Sequence, residues 1–359
     1  MKKLLMLCMI IPLLSGCWDE VLYKDLTIVP VMGIEGVNND ITMYFSFPVF
    51  DEESMEYHVT TGKGISVRTA RNDAFLHSSE MLDISQVEMF LIDENTAKED
   101  IYHYIDSIYR TPRNRLNGHM VLTTGDMKDF FKVENELPTD PADFYKGLLE
   151  TTIKFSKAPD LNFQNAIRIY FEQGQDLALP MMSISEETNT PEITGAGLFS
   201  KHQFTGHRLN ITQTKLMNLL NENANVKYLQ FEYEWEKDEQ VYPLVAEFVS
   251  KKEHREIKNG KIHHTIDLKV AVEEFPHDHL SDKKFVKQLD QFLAEKITED
   301  LYDMMDTLQE AKSDVIGYGK TVRAFHQDLW NRGEWQDTFS TLDIELKVSI
   351  DIVRTGILG

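Results

Sequence analysis

Residues 14–17 read Leu14-Ser15-Gly16-Cys17, a branched apolar residue, two small residues and a cysteine. This is the lipobox of bacterial lipoproteins. The small residues let a peptidase grip an extended backbone. The thiol takes a diacylglycerol, and the cysteine then becomes the new N-terminus. Upstream, Lys2 and Lys3 precede an apolar run over residues 4–14. That run is shorter than the ~20 residues a spanning helix needs and fits the apolar core of a secretory signal. The sequence therefore predicts a signal peptide over 1–16 and lipidation at Cys17. Cys8, the other cysteine, leaves with the signal. The mature chain then has no disulfide, and an acylated Cys17 is lost as a catalytic nucleophile.

Other chemistry-bearing patterns are sparse. There is no Gly-x-Ser-x-Gly elbow, no Gly-x-x-x-x-Gly-Lys-Ser/Thr loop and no His-Glu-x-x-His. Thr61-Gly62-Lys63-Gly64 reads first as a turn. His277-Asp278-His279 follows Pro276 and offers two metal-ligand types, but sequence fixes no third ligand, and a structural zinc wants four. His263 and His264 are neighbours on a strand, so they point to opposite faces and cannot chelate together. His264 falls on the apolar face, where a hydrogen-bonded core histidine is expected. Carboxylate pairs such as Glu52-Glu53 and Glu186-Glu187 reflect the acidic composition and single out no glycosidase. Asn210-Ile211-Thr212 is a chance sequon in such a protein. Asp314-Val315-Ile316-Gly317-Tyr318-Gly319 is more distinctive. Its glycines permit a tight turn or close backbone approach. Phosphate cradling is the competing reading, and no helix with a Lys/Ser pair is evident after it. Catalytic residues, cofactor and metal are accordingly expected to be absent.

Composition agrees with this. The chain has 359 residues with 37 basic and 59 acidic side chains, a formal charge of −22. Such a chain repels phosphate backbones, which excludes nucleic acid as the expected partner. It also lacks the basic clusters that hold proteins on anionic lipid. Every apolar segment after the signal is soon interrupted by charges, so the protein is expected to be anchored to a membrane rather than threaded through it.

The elements that must carry these residues fall into two regions. Residues 26–50 give strand signals, with a turn at Asn38-Asn39-Asp40 and Ile41, Met43, Phe45, Phe47 and Val49 on one face. Residues 66–79 and 99–110 read as helices, with a buried strand at 119–124 between them. Asp140 before Pro141 caps a helix over 142–157. Strands alternating with helices predict an α/β region over 17–190, with a break near 138–141 that leaves room for two subdomains. The polar segment 183–195 is read as a boundary or a long surface connection. Residues 191–359 then form a C-terminal α+β domain. Three long alternating strands around 229–236, 262–273 and 342–352 predict a curved antiparallel sheet. Residues 282–312 supply its cover, because Leu289, Leu293, Ile297, Leu301, Met304 and Leu308 lie on one helical stripe. Trp330 and Trp335 are expected in the core over this sheet. The fold class is α+β and multidomain.

Together these residues resemble a known family. Gly16-Cys17-Trp18-Asp19 is followed by Ile28-Val29 and Gly33-Ile34. Gly197-Leu198-Phe199 and Gly206 come later, then the long helix, Asp314-Val-Ile-Gly-Tyr-Gly, Trp330, Trp335 and Phe339. This order resembles the Ger(x)C family, the lipoprotein C subunits of spore germinant receptors. One departure is Glu20-Val21-Leu22-Tyr23, where the family often has polar residues and then Glu-Leu. The resemblance implies a non-enzymatic protein held by a lipid on the outer face of the inner spore membrane. It implies integral-membrane A and B subunits as partners and a part in nutrient-triggered germination. The alternative class is a solute-binding lipoprotein of an envelope transporter, which would show two similar lobes around a cleft. An envelope hydrolase lacks a nucleophile or metal set.

Overall fold

The structure, a computed structural model, describes residues 26–355 apart from 51–54, 80, 223, 225, 238–239 and 277–279. A short strand β1 (Leu26–Ile28) leads into β2 (Val31–Val37). The chain turns through Asn38 and Asn39, whose φ values of 55° and 61° suit a two-residue hairpin turn. It returns as β3 (Asp40–Phe50) and β4 (Met55–Gly64). Helix α1 (Val67–Ala74) begins at a Ser66/Thr69 capping box. There follow β5 (Met81–Asp83), β6 (Met89–Asp93), α2 (Tyr102–Tyr109) and β7 (His119–Thr123). Three helices come next, α3 (Met127–Lys132), α4 (Pro141–Lys154) and α5 (Phe163–Tyr170). Asp140 caps α4 as its sequence predicts, accepting from the Ala142 amide at 2.8 Å, with Pro141 at the first helical position. Strands β8 (Ala178–Ile184), β9 (Pro191–Ser200) and β10 (Gln203–Leu209) complete an eight-stranded sheet ordered β10-β9-β8-β7-β6-β2-β3-β4.

The four central strands β2, β6, β7 and β8 are mutually parallel, with antiparallel hairpins on either side. Both faces are covered, which is why these strands read as near-continuous apolar runs. Phe90, Ile92, Met120 and Leu122 pack on one face with α2 and α5. Met89, Leu91 and Val121 pack on the other with α3 and α4. The segment 183–195 holds the end of β8, a turn and the start of β9, and the sheet runs on through it to Leu209. The eight-stranded sheet thus crosses the 190/191 division drawn from the sequence.

The C-terminal half comprises α6 (Ile211–Leu220), β11 (Gln230–Lys237), β12 (Gln240–Lys258), β13 (Lys261–Glu274), α7 (Lys283–Glu310), α8 (Tyr318–Phe325), α9 (Gln327–Trp330), α10 (Trp335–Phe339) and β14 (Ile344–Arg354). Its four-stranded sheet is ordered β11-β12-β13-β14 and packs on α7. All six residues of the expected stripe on α7 are fully buried there. One pairing corrects the sequence reading: β13 and β14 run parallel, from Ile262↔Ile344 onward, so the sheet is mixed and not purely antiparallel. Alternation of apolar residues fixes which face is dry, not which way the strand runs. The direction is set by α7, whose 28 residues, roughly 42 Å long, carry the chain back along the sheet before β14 begins. No helix among the described residues is long and apolar enough to cross a membrane.

Candidate functional site at the junction of the two halves

The Asp314 motif sits where the C-terminal half meets the loop that feeds β8. A helix does begin after it, α8, with Gly317 at its N-cap in the left-handed region at φ 81°. The anion at that helix start is the protein's own. Asp314 Oδ1 accepts from the Gly317 and Tyr318 amides at 2.8 and 3.1 Å. Its Oδ2 accepts from the Gly319 amide at 2.7 Å and from Trp335 Nε1 at 2.9 Å. The amides that a phosphate would use are occupied, so the motif is structural, as its glycines suggest.

A second carboxylate completes the arrangement. The Asp314 amide donates to Asp176 Oδ2, while Asp176 Oδ1 accepts from Gln336 Nε2 at 3.1 Å. Burial pushes the Asp314 carboxyl up to about 6; the nearby Asp176 adds to this, and the hydrogen bonds of Gly319 and Trp335 pull against it. Burial likewise raises Asp176. Gln175 donates to the Val315 carbonyl at 3.1 Å and accepts from Lys320 Nζ at 3.0 Å. Gly174 and Gly319 let the two backbones touch: a Cβ on Gly319 would stand 2.6 Å from Gly174 Cα and 2.4 Å from Trp335 Nε1.

Beside this junction lies an open cleft of about 530 Å³ bordered by Tyr170, His202, Trp330 and Trp335. The Tyr170 and His202 rings stack at 3.8 Å, and the two indoles stack at 5.6 Å. Trp335 is buried and Trp330 half-buried, so the expected tryptophan core is realised in full only by Trp335.

A polar cluster lies within the sheet-on-helix half. His264 is buried, as expected of a core histidine, and its Nδ1 lies 2.9 Å from the Tyr318 hydroxyl. Burial lowers its pKa, against the pull of Glu253, which raises it. His263 faces the other way and pairs with Glu345 at 2.8 Å. Lys251 Nζ and Arg255 Nη2 donate to the Leu219 and Leu220 carbonyls at 2.6 and 2.7 Å, satisfying the C-terminal end of α6. Glu253 neutralises both cations at 3.1 Å. Burial alone would raise Glu253, but His264, Arg255 and Lys251 outweigh it and bring it down to about 2.

Cys17 and His277-Asp278-His279 lie outside the described residues. Among the described residues no group of three or more His, Cys, Asp or Glu is placed to hold a metal ion. The sequence reading missed Asp176, Gln175 and Gly174, because nothing in their spacing points to a motif more than a hundred residues away. It also missed the cluster on β12.

Comparison with known proteins accounts for this architecture. Residues 19–184 match the spore germination protein N-terminal domain, and residues 194–356 match the spore germination B3/GerAC-like C-terminal domain. The chain is 22% identical to YfkR of Bacillus subtilis (strain 168) over 389 residues, covering 100% of this chain and 98% of that one. It is 21% identical to spore germination protein KC of the same organism, covering 96% and 93%. The solved structure of the GerBC protein superposes with a TM-score of 0.58 at 16% identity, over 90% of this chain and 96% of that one, and shows the same fold. With two family domains in order and relatives matched end to end, the chain belongs to the Ger(x)C family of spore germination proteins.

Proposed function

We propose that this protein is a lipid-anchored subunit of a spore germinant receptor and acts through contact with integral-membrane A and B subunits. Family membership supports the germination role. Leu14-Ser15-Gly16-Cys17 behind a short apolar run is the single observation that carries the anchoring. In this reading Cys17 bears the lipid, the chain stands on the outer face of the inner spore membrane, and it performs no catalysis. Confinement to a thin layer raises its effective concentration near membrane partners, so modest interfaces suffice. The Asp176–Asp314 hydrogen bonds tie the two halves to each other at their junction. The test is a Cys17→Ala substitution in a null strain, with detergent-solubilised spore membranes captured through a tag on the chain. Loss of membrane retention, of the co-captured integral subunits and of the nutrient response is expected. Normal processing and retention of the alanine variant would sink the anchoring, and capture without integral partners would sink the subunit role.

A further inference from the structure

Strand β1 runs parallel beside β5, with Leu26 opposite Met81. Leu26 lies nine residues after Cys17. Nine residues of any conformation reach at most about 30 Å, so a lipid on Cys17 holds this strand pair close to the bilayer. Met81 is 50% exposed. Leu76, in the turn between α1 and β5, is 78% exposed. Two large apolar side chains thus stand in solvent at or near the point where the tether meets the fold.

Arginines gather at the same strand pair. Asp83, at the end of β5, accepts from Arg113 Nη2 at 2.8 Å. The Arg115 amide donates to the Ser85 carbonyl at 2.9 Å, which lays the loop carrying Arg113 along the residues after β5. Arg71, on α1, completes the group. Burial lowers its pKa, and Arg68 and Arg113 lower it further against the pull of Asp83. Its Nε is buried and has no hydrogen-bond partner among the described residues. Neither Arg71 nor the exposed Arg68 holds a carboxylate among those residues. Three guanidiniums thus repel one another around Arg71, and an added anion relieves that repulsion. No run of basic residues marks the patch in the sequence, because the fold brings positions 68, 71 and 113 together.

We propose that this face, the β1–β5 pair with the turn after α1, seats on an anionic phospholipid surface, with Arg68, Arg71 and Arg113 taking headgroup phosphates and Leu76 and Met81 entering the interface. Arginine suits phosphate because its planar fork matches two oxygens. The tether favours lipid over a soluble anion, since it keeps headgroups at high local concentration beside β1. The chain as a whole, at a formal charge of −22, is repelled by the same surface, which turns the arginine face toward the lipid and the acidic remainder away. This rests on the anchoring at Cys17 and goes beyond it by naming the face that meets the membrane.

The test uses the lipidated full chain in phosphatidylcholine vesicles with and without phosphatidylglycerol. A fluorophore is attached at Ser79→Cys, between Leu76 and Met81, or at Lys347→Cys on β14, both exposed positions, and a lipid-borne quencher reports contact. With Cys17 acylated, the introduced cysteine is the thiol that takes the label. Several-fold stronger quenching at 79 than at 347 is expected on vesicles containing phosphatidylglycerol. Most of that difference should be lost on phosphatidylcholine alone, in high salt, and in an Arg68→Gln/Arg113→Gln variant. The lipid and salt series probe the same charges without any substitution, so they decide even if the variant folds poorly. Equal quenching at the two positions on floated vesicles overturns the face and leaves the anchoring standing; if inorganic phosphate then binds the chain in calorimetry, the arginines serve a soluble anion instead. Quenching at 79 that ignores lipid charge and salt overturns the arginines' part. Labelled chains that do not float with vesicles at all overturn the anchoring, and the face with it.

Discussion

Asp176 and Asp314 are joined by reciprocal hydrogen bonds. The Asp314 amide donates to the Asp176 carboxylate at 2.9 Å, and the Asp176 amide donates to the Asp314 carbonyl at 3.0 Å. Two buried carboxylates this close repel, and they are tolerated because backbone amides, Trp335 and Gln336 surround them with donors. The pair links the loop before β8 to the start of α8, and so the eight-stranded sheet to the sheet-on-helix half.

Asp314→Ala strips the acceptor from four buried donors at once. Unfolding in urea is expected to show a loss of about 3 kcal/mol or more, since each stranded buried donor costs roughly 1–3 kcal/mol. Asp314→Asn keeps the shape but turns an amide group toward donors, and it is expected to be destabilised as well. A variant as stable as the native chain would remove the junction's central role.

Gly319 and Gly147 make a contrast that tests close approach. A Cβ on Gly319 collides with Trp335 and Gly174, whereas a Cβ on Gly147, inside α4, meets nothing within 4 Å. Gly319→Ala is expected to lower stability by roughly 1–3 kcal/mol through overpacking. Gly147→Ala is expected to raise it by about 0.5–1 kcal/mol through reduced freedom of the unfolded chain. Thermal melts of the two variants in parallel decide the matter, and equal shifts would contradict the packing described.

The sequence makes some of this plain and hides the rest for identifiable reasons. The α7 stripe, the Asp140 cap and the alternation on β13 are local patterns, and local physics settles them. Strand β12 escapes notice because Lys251, Glu253 and Arg255 occupy inward positions where an apolar alternation is expected. Those side chains are satisfied by α6 carbonyls and by His264, contacts that only the tertiary structure provides. The β13–β14 direction and the Asp176 partner of Asp314 are non-local for the same reason.

Glu134 gives the pH dependence a sign. It is buried, with Ser46 Oγ donating to Oε2 and no partner for Oε1 among the described residues, and burial pushes its carboxyl up to about 8. The folded state therefore holds a proton that the unfolded state releases near 4.5. Its stabilising contribution is fully present below the unfolded value and is lost as pH rises through 8. Between these values stability is expected to fall by about 1.4 kcal/mol per pH unit from this group. Glu134→Gln keeps an acceptor for Ser46 and carries no charge, so its stability should exceed the native chain's at pH 9 and match it more nearly at pH 5. Denaturation midpoints at the two pH values provide the measurement, and a Gln variant with the native chain's pH slope would refute the assignment.

Trp335 does two jobs that substitution separates. Its ring is buried in the core beside Phe339, and its Nε1 donates to Asp314 at 2.9 Å. Trp335→Phe keeps much of the packing and removes only the donor, with an expected cost of about 1–3 kcal/mol for a hydrogen bond to a charged group. Trp335→Ala loses the ring as well, and its expected cost is about 3–5 kcal/mol. Trp330 stacks on it from a half-buried position, so Trp330→Ala should cost clearly less. Urea titrations of the three variants give the order Trp335→Ala, Trp335→Phe, Trp330→Ala or the reverse of the last two, and either order fits provided the first is the largest. If Trp330→Ala proves the most damaging, then the exposed side of the indole pair, facing the 530 Å³ cleft, is holding the structure and Trp335 is not its anchor.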